Sequence, residues 1–560
     1  MLIDQIDQEI TQLNAAEFKQ MLIVATKKLK EAEEEVNDLN IYPVPDGDTG
    51  SNMYLTLSNA VEEVKKTNST AAGDLADKLS MGALMGARGN SGVILSQLLK
   101  GLANGMEDAE VITVENLAEG LKQASDIAYQ AVMKPVEGTI LTVAREVAEK
   151  ADEISDHHDL TEFMYKIVKQ ARASVAKTPQ LLEVLEEADV VDAGGKGYEI
   201  FLTGLLEGMV AEEEEFEEIF AGSFALGHSK EEQEVEEKFG YCTEFIVKGA
   251  VVEVNDFREE ISSLGDSLVV VKTDDLLKVH IHTDHPGEAL EFGIKYGDLT
   301  NIKIDNMSEQ HTERIKKEAE QEQAAQEKTV DKTAEKETKV AQDKLAVLAV
   351  TVGDGLQDIF DQIGAHYVLK GGQSLNPSTQ DLLTGIEKIE SDDVIILPNN
   401  KNVISTAKQV QELTDKNIEI VPTKTVPQGI AAMMMFNPQG ELEAVSDDMK
   451  EELEFVKTGE ITYAVRDTEI SNMEIEKDDI LGLQDGDIEV VAENYNQAAL
   501  DLIDNMVEEL DSLITIYVGE ETSSDRKEEL ISDLEEKYPD FDIEVHNGGQ
   551  PLYYYIISVE

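Results

Sequence analysis

The sequence predicts a multidomain protein. An all-α N-terminal domain covers residues 1–210, a small α/β middle domain 211–307, a flexible charged linker 308–344 and an α/β C-terminal domain 345–560. Three observations predict this. The first 210 residues repeat apolar side chains at helical spacing. Residues 240–306 switch to β-rich runs around a single helical stretch. From Leu345 onward, short apolar runs alternate with helical ones, the pattern of a sheet covered by helices.

The helical part begins at Ala16 to Val36, with apolar residues on one face and Glu and Lys on the other. Leu75–Leu84, Val93–Gly101, Asn116–Met133, Leu141–Ile154, Leu160–Val175 and Gln180–Glu186 repeat the pattern. The breaks are rich in Gly, Pro, Asn and Asp, which suggests an up-and-down helical domain with a site built from its loops. The acidic run Glu212–Glu218 reads as a solvated boundary. In the middle domain, Tyr241–Val247, Ser267–Lys272, Leu277–His282 and Ile302–Ile304 read as strands and Gly287–Tyr296 as a helix. Residues 308–344 hold Glu, Lys, Gln, Ala and Thr with almost no large apolar side chain, too little to form a core. Leu345–Val352, Val394–Pro398 and Ile418–Pro422 each lead into a loop and a helical stretch, as in a parallel sheet. Glu460–Val465, Leu513–Val518, Asp542–His546 and Tyr553–Ser558 imply a second α/β lobe.

A formal charge of −69 over 560 residues argues against nucleic acid and anionic lipid surfaces as partners and favours a partner with a basic patch. The single cysteine, Cys242, allows no intrachain disulfide and fits a reducing cytoplasm. The N-terminal MLIDQIDQEI has no signal-peptide pattern, and no run approaches the ~18–20 apolar residues of a transmembrane segment. A cytoplasmic location is expected.

The chemistry concentrates in Asn40-Ile-Tyr-Pro-Val-Pro-Asp-Gly-Asp-Thr-Gly-Ser-Asn52. Asp46 and Asp48 flank Gly47, and small polar residues follow. Two carboxylates on a glycine-flexed loop suit a hard cation shared with phosphate oxygens. An isolated Asp-Gly-Asp would be an ordinary turn; the Pro-x-Pro before it, the Thr-Gly-Ser-Asn after it and its companion motifs favour the site. In Met85-Gly-Ala-Arg-Gly-Asn-Ser-Gly92, glycines, Asn90 and Ser91 lead into an apolar helix, so the loop could hold an anion or simply cap the helix. No Gly-Lys-Ser/Thr follows, so it is not a Walker A loop. Asp192-Ala193-Gly194-Gly195 fits a close backbone approach to a nucleotide or a plain helix-to-helix turn. Gly138-Thr139 fits the same site or an N-cap alone. In the middle domain, His280 and His282 share one face of a predicted strand. With Cys242 and His285 they form a candidate zinc site, against the plainer reading of a surface pair. In the C-terminal domain, Gly371–Thr379 and Leu397–Asn402 follow strands where binding loops gather, though Asn-Pro-Ser-Thr is also a capping sequence.

Taken together and in this order, the four N-terminal motifs resemble the nucleotide-binding subunit of dihydroxyacetone kinase. Nearly the whole chain resembles the fatty acid kinase A family, through NIYPVPDGDTGSNM, GARGNSGVILSQ, VDAGGKGYE, KVHIHTDHPGEAL, GGQSLNPST and ILPNNKN. The resemblance implies a helical-barrel ATPase domain with two Mg²⁺ ions, for which Asp46 and Asp48 match the metal-binding acids. The third acid of the dihydroxyacetone kinase pattern is replaced in this region by Asn40, one residue out of step. Thr49, Gly50, Ser51, Asn52, Asn90, Ser91, Gly92, Gly138, Thr139, Asp192, Ala193 and Gly194 fall where the resemblance implies nucleotide contacts, and Arg88 is a candidate cation beside the transferring phosphoryl group. It also supports the zinc site. It implies that ATP phosphorylates a fatty acid carboxylate presented by a separate fatty-acid-binding carrier protein, which docks on the C-terminal domain. The product would be an acyl phosphate for phospholipid synthesis. A homodimer is expected as the commonest assembly. The alternatives are a kinase for a small polyol or ketose, and a non-enzymatic nucleotide-sensing scaffold.

Overall fold

The computed structural model describes residues 9–40, 44, 47–67, 69–132, 134–210, 241–248, 252, 257, 261, 264, 266–273, 276–283, 285–306, 343–372, 376–470 and 473–560. In the N-terminal segment, side-chain caps start several helices. Asn14 Oδ1 accepts from the Ala16 and Glu17 amides at the head of α1 (Ala15–Glu31), and Glu17 reaches back to the Asn14 N–H. After α2 (Glu33–Asn37) come α3 (Thr49–Lys66), α4 (Ala72–Gly86), α5 (Gly89–Asn104) and α6 (Val114–Ala131), the last opened by a Thr113–Asn116 capping box. Thr139 caps α7 (Ile140–Glu153) and Asp159 caps α8 (Leu160–Val175). The stretch expected as one helix over 180–186 is two short ones, α9 (Thr178–Leu181) and α10 (Glu183–Glu187), broken at Leu182 in extended backbone. The segment closes with α11 (Ala193–Val210).

One core joins these helices, with Phe18, Leu57, Leu98, Phe163 and Phe201 fully buried in it. Gly204 brings α11 against α1: a Cβ there would lie 2.4 Å from the Ala25 Cα. Each large side chain removed from water in such a core contributes about 1.5–3 kcal/mol. Among the described residues no helix is long and apolar enough to cross a membrane.

The middle segment has a four-stranded antiparallel sheet, order β2 (Asp266–Thr273), β3 (Leu276–Thr283), β1 (Tyr241–Lys248), β4 (Asp298–Asn306). Phe245, Val247, Val279 and Ile281 bury one face of it with Phe292 of the helix Pro286–Ile294. The expected linker at 308–344 lies outside the described residues except for Asp343 and Lys344.

The C-terminal segment contains the expected parallel sheet, order β6 (Tyr367–Lys370), β5 (Leu345–Thr351), β7 (Asp393–Leu397), β8 (Asn417–Ile420). Strand β5 is buried along its whole length, as a central parallel strand covered on both faces must be. The second lobe is mixed. Its order is β13 (Asp487–Ala492), β12 (Ile480–Gln484), β9 (Lys457–Tyr463), β16 (Tyr555–Val559), β14 (Leu513–Val518), β15 (Asp542–Asn547), and only β14 and β15 run parallel. A hairpin of β10 (Thr468–Ile470) and β11 (Met473–Ile475) stands apart from it. The chain divides into two compact units, residues 1–227 with 342–560, and residues 228–341. The helices and the C-terminal sheets thus belong to one unit.

Candidate active site

The first residues of four helices meet at one cavity of about 530 Å³. Thr49 opens α3, Asn90 and Ser91 lie in the first turn of α5, Ile140 opens α7, and Ala193 and Gly194 open α11; all line it. Each helix start carries about half a positive charge, although side chains already accept from first-turn amides of α3, α7 and α11. Four converging starts make a site for an anion with several charged groups. Ile94, Val132, Val136 and Leu185 supply an apolar wall, which suits a flat base next to the charged groups.

Asp48 precedes α3 and is only 9% exposed. It stands at the N-cap position, yet its side chain makes no capping hydrogen bond. Asn37 does that work instead: its Oδ1 accepts from Gly50 N–H at 2.7 Å and Ser51 N–H at 3.3 Å. The Asp48 carboxylate instead accepts from the Asn376 side-chain amide and lines the cavity. Asn40, where the resemblance would have an acid, accepts from Thr49 Oγ at 2.9 Å and lines the cavity beside Asp48. Asp46 lies outside the described residues.

The expected contact residues separate into two groups. Asp48, Thr49, Asn90, Ser91, Thr139, Asp192, Ala193 and Gly194 line the cavity. Gly50, Ser51, Asn52, Gly92 and Gly138 do not; they build the frame behind it. Ser51 donates to Glu33 at 2.6 Å, and Gly92 lies where a Cβ would stand 2.4 Å from Thr56 Oγ. Ser91 is not the cap considered for α5, because the helix already starts at Gly89. Thr139 is both cap and wall, accepting from Leu141 N–H at 3.4 Å.

Arg88, expected at the transferring phosphoryl group, is not on the cavity wall. It faces the C-terminal segment, donating to the Asn376 carbonyl at 3.0 Å and pairing with Asp381 at 3.4 Å. Its backbone forms a β-bridge with Ser378, and Thr379 N–H donates to the Ala87 carbonyl at 3.1 Å. Ser378 also caps the following helix, Thr379–Glu387, in a box with Asp381. The Asn-Pro-Ser-Thr sequence is therefore a cap and an attachment point at once.

The far wall of the cavity comes from loops more than 200 residues further along the chain. Asn400, Lys401 and Asn402 follow β7, Lys424 and Thr425 follow β8, and Asp485 and Gly486 follow β12. These are the carboxyl ends of strands, where α/β sheets place binding loops. Asn90 ties the walls together, donating to Asn402 at 3.2 Å and accepting from Ser405 at 2.6 Å. The sequence signal for this wall is the Pro-Asn-Asn-Lys-Asn loop after a strand, which by itself points only to a docking surface for the carrier.

Two polar groups stand out. Asn376 is fully buried; its Nδ2 donates to Asp48 Oδ2, and its Oδ1 has no hydrogen-bond partner among the described residues. An orphaned buried acceptor costs about 1–3 kcal/mol. The Asp48 carboxylate is a hard-oxygen donor of the kind Mg²⁺ takes, and the nitrogen rather than the oxygen of the Asn376 amide faces it. Among the described residues no group of three His, Cys, Asp or Glu is arranged to hold a metal. Of the zinc candidates, the side chains of Cys242, His280 and His282 lie outside the described residues; in the backbone register Cys242 stands opposite His282 and Glu244 opposite His280. His285 is exposed and precedes the helix Pro286–Ile294.

The second group, Asp192, is half-buried at the cavity wall, and desolvation there pushes its pKa up from 3.8 to about 6 against hydrogen bonds from the Gly195 and Ile140 amides. The unfolded chain ionises this group first, so it binds fewer protons than the folded chain between those values. Stability therefore falls as pH rises from about 4 to about 6, then levels off. Asp192→Asn keeps an acceptor for Gly195 and removes the penalty. In urea unfolding its advantage over wild type is expected to grow across that window to about 1–3 kcal/mol and stay constant above it. A constant difference from pH 4 to pH 7 would contradict the assignment.

Residues 43–207 match the DAK2 domain, residues 238–314 the FakA-like (fatty acid kinase A-like) middle domain and residues 346–560 the FakA-like C-terminal domain. Protein YloV of Bacillus subtilis is 40% identical over 98% of this chain and 100% of its own length, and a protein of Staphylococcus epidermidis (strain ATCC 12228) is 39% identical over the same shares. Part of the chain is similar to solved structures at low identity. The DegV family protein Cg2579 of Corynebacterium glutamicum has TM-score 0.30 and 13% identity, over 39% of this chain and 97% of that one. The Streptococcus pneumoniae fatty acid kinase B3 protein loaded with linoleic acid has TM-score 0.27 and 10% identity, over 39% and 99%. The dihydroxyacetone kinase of C. freundii in complex with AMP-PNP and Mg²⁺ has TM-score 0.25 and 19% identity, over 36% and 34%. The helical segment with its clustered loops is a kinase-type DAK2 domain. The chain as a whole belongs to the FakA-like family of fatty acid kinase proteins.

Proposed function

We propose that this protein is an ATP-dependent kinase that phosphorylates the carboxylate of a fatty acid presented by a separate fatty-acid-binding protein. The observation that carries the reading is the convergence of four helix starts on a cavity that the Asp48 carboxylate also lines. Helix starts and loop amides bind the polyphosphate, and the apolar wall receives the base. Asp48 and Asp46 would hold Mg²⁺, which when bound offsets the negative charge of the β- and γ-phosphates. A carboxylate oxygen of the acceptor forms the new bond to the γ-phosphorus. The bond from that phosphorus to the bridging oxygen breaks, and ADP leaves with the electron pair. The products are ADP and an acyl phosphate, a precursor for phospholipid synthesis. A fatty carboxylate is already ionised at pH 7, so the chain needs no general base. Its task is to position the reactants and exclude water.

A long acyl chain is insoluble, and a separate carrier would deliver it. With a charge of −69 on the kinase, the carrier should present a basic surface. We place the reaction in the cytoplasm and expect a homodimer. The test is Mg²⁺-dependent transfer of labelled γ-phosphate with oleate, with and without the host's fatty-acid-binding protein. Acyl phosphate formed only with lipid and carrier together supports the reading. Transfer to free dihydroxyacetone instead would make the protein a small-molecule kinase, and ATP binding with no transfer to any acceptor would make it a sensor.

We also propose that Cys242, His280 and His282, with His285, bind Zn²⁺ in the middle unit, a reading supported by the pairing of Cys242 with His282. Elemental analysis of the purified full chain should find about one zinc, and Cys242→Ala should lose most of it. Equal zinc in both proteins removes the site.

A further inference from the structure

We propose that Asn376, from the C-terminal segment, is an oxygen ligand of the cation held by Asp48, so that the metal site is completed across the two segments. The proposal rests on the kinase reading above. Its starting point is a buried amide satisfied at one end only. Asn376 Nδ2 donates to Asp48 Oδ2 and lies 3.5 Å from Asn52 Oδ1, while Oδ1 has no partner among the described residues.

The surroundings hold this amide in place rather than leaving it there by chance. Arg88 takes the Asn376 carbonyl at 3.0 Å, and Ser378, two residues on, bridges to Arg88. Gly89, with φ +56°, clears the space: a Cβ there would stand 2.4 Å from Asn52 Nδ2 and 3.1 Å from Asn376 Nδ2. A left-handed backbone and a missing side chain at one residue both favour glycine. The result is a carboxylate on the cavity wall with a fully buried amide directly behind it.

A side-chain amide can offer Asp48 a proton or offer a cation its oxygen. Without a cation, Nδ2 faces Asp48 and Oδ1 is orphaned. With a hard cation at Asp48, a half-turn of the amide presents the oxygen to it, and carboxylate plus amide oxygen is a donor set such ions accept. Cation binding and docking of the C-terminal segment would then reinforce each other. The competing account makes Asn376 a latch that blocks Asp48, and it predicts the opposite sign.

The test uses Mn²⁺ as probe, titrated into the full-length protein with saturating AMP-PNP and followed by electron paramagnetic resonance. Asn376→Ala should weaken Mn²⁺ binding by about 10–100-fold, the range found when groups supporting a metal site are removed. Asn376→Asp, which keeps an oxygen donor, should bind as tightly as wild type or tighter. Melting in EDTA reports folding of both variants. Unchanged or tighter binding by a folded Asn376→Ala protein overturns the ligand role, as does weaker binding by Asn376→Asp. If wild type itself binds no Mn²⁺ with AMP-PNP, the kinase reading fails instead.

Discussion

Asp48→Ala should reduce phosphoryl transfer by about 10³-fold or more while the protein melts within a few degrees of wild type. Both halves of this expectation come from one local arrangement. An Asp at an N-cap usually contributes about 1 kcal/mol by accepting from the first-turn amides. Asp48 does not, because Asn37 Oδ1 already holds the Gly50 and Ser51 amides. Deleting its carboxylate therefore costs α3 little. What is lost is a buried negative charge among the starts of four helices, where the cation and the β- and γ-phosphates would meet. Removing one preorganised electrostatic partner of a transition state typically costs about 10²–10³ in rate. Removing a cation ligand affects nucleotide binding as well. Asp48→Asn separates charge from shape: it keeps the volume and the contact with Asn376, and should lose nearly as much activity as the alanine variant. Single-turnover transfer with calorimetric melting of the same samples provides the check. More than a tenth of wild-type rate in either variant would remove Asp48 from the machinery. A collapse of the melting temperature would make its role structural. Asp46→Ala is expected to match Asp48→Ala in rate.

Much of this site can be read from the chain because its parts are local. Gly-Asn-Ser ahead of an apolar run, Thr139 ahead of α7 and Asp192 ahead of α11 mark helix starts by their own chemistry, and helix starts are what build the near wall. What a local pattern cannot give is the choice between cap and wall. Ser91 has the chemistry of a cap but falls inside the helix, while Thr139 is both. The far wall is not legible for a different reason. Lys401, Lys424 and Asp485 follow three separate strands, and their meeting with Asp48 depends on how a segment of about 200 residues docks. No spacing rule links residues so far apart. Single charged or amide residues in loops carry no distinctive pattern either. The second C-terminal sheet is readable as strands, but not its order, since β9 pairs with β12 and β16 rather than with a single neighbour in sequence.

Arg88→Ala should lower phosphoryl transfer by about 10²-fold through loss of docking rather than loss of a charge at the phosphoryl group. The guanidinium is partly buried, and burial lowers its pKa while the nearby Asp381 opposes that. It connects three things at once: the Asn376 carbonyl, the Asp381 carboxylate that closes the Ser378 cap, and the strand-like contact between Ala87-Arg88 and Ser378-Thr379. The Arg88–Asp381 pair is half-exposed and contributes little by itself, about 1 kcal/mol or less, but the donation to the Asn376 carbonyl is lost with it. The loss falls on the attachment of the far wall, because Asn376 and the helix Thr379–Glu387 lose their fixed point. Hydrogen exchange at residues 376–387 and 400–405 should therefore rise in Arg88→Ala with little change in the α1–α11 core. Asp381→Asn weakens the same attachment while sparing the cation and should show a smaller version of both effects. Arg88→Lys keeps the charge but not the forked donors, so it should recover only part of the rate. A cation acting directly on the transferring group would behave otherwise. Its loss would slow transfer with exchange at 376–387 unchanged, and Asp381→Asn would be close to wild type. That pattern would return Arg88 to the cavity and assign the docking to the Ser378 and Asn90 contacts alone.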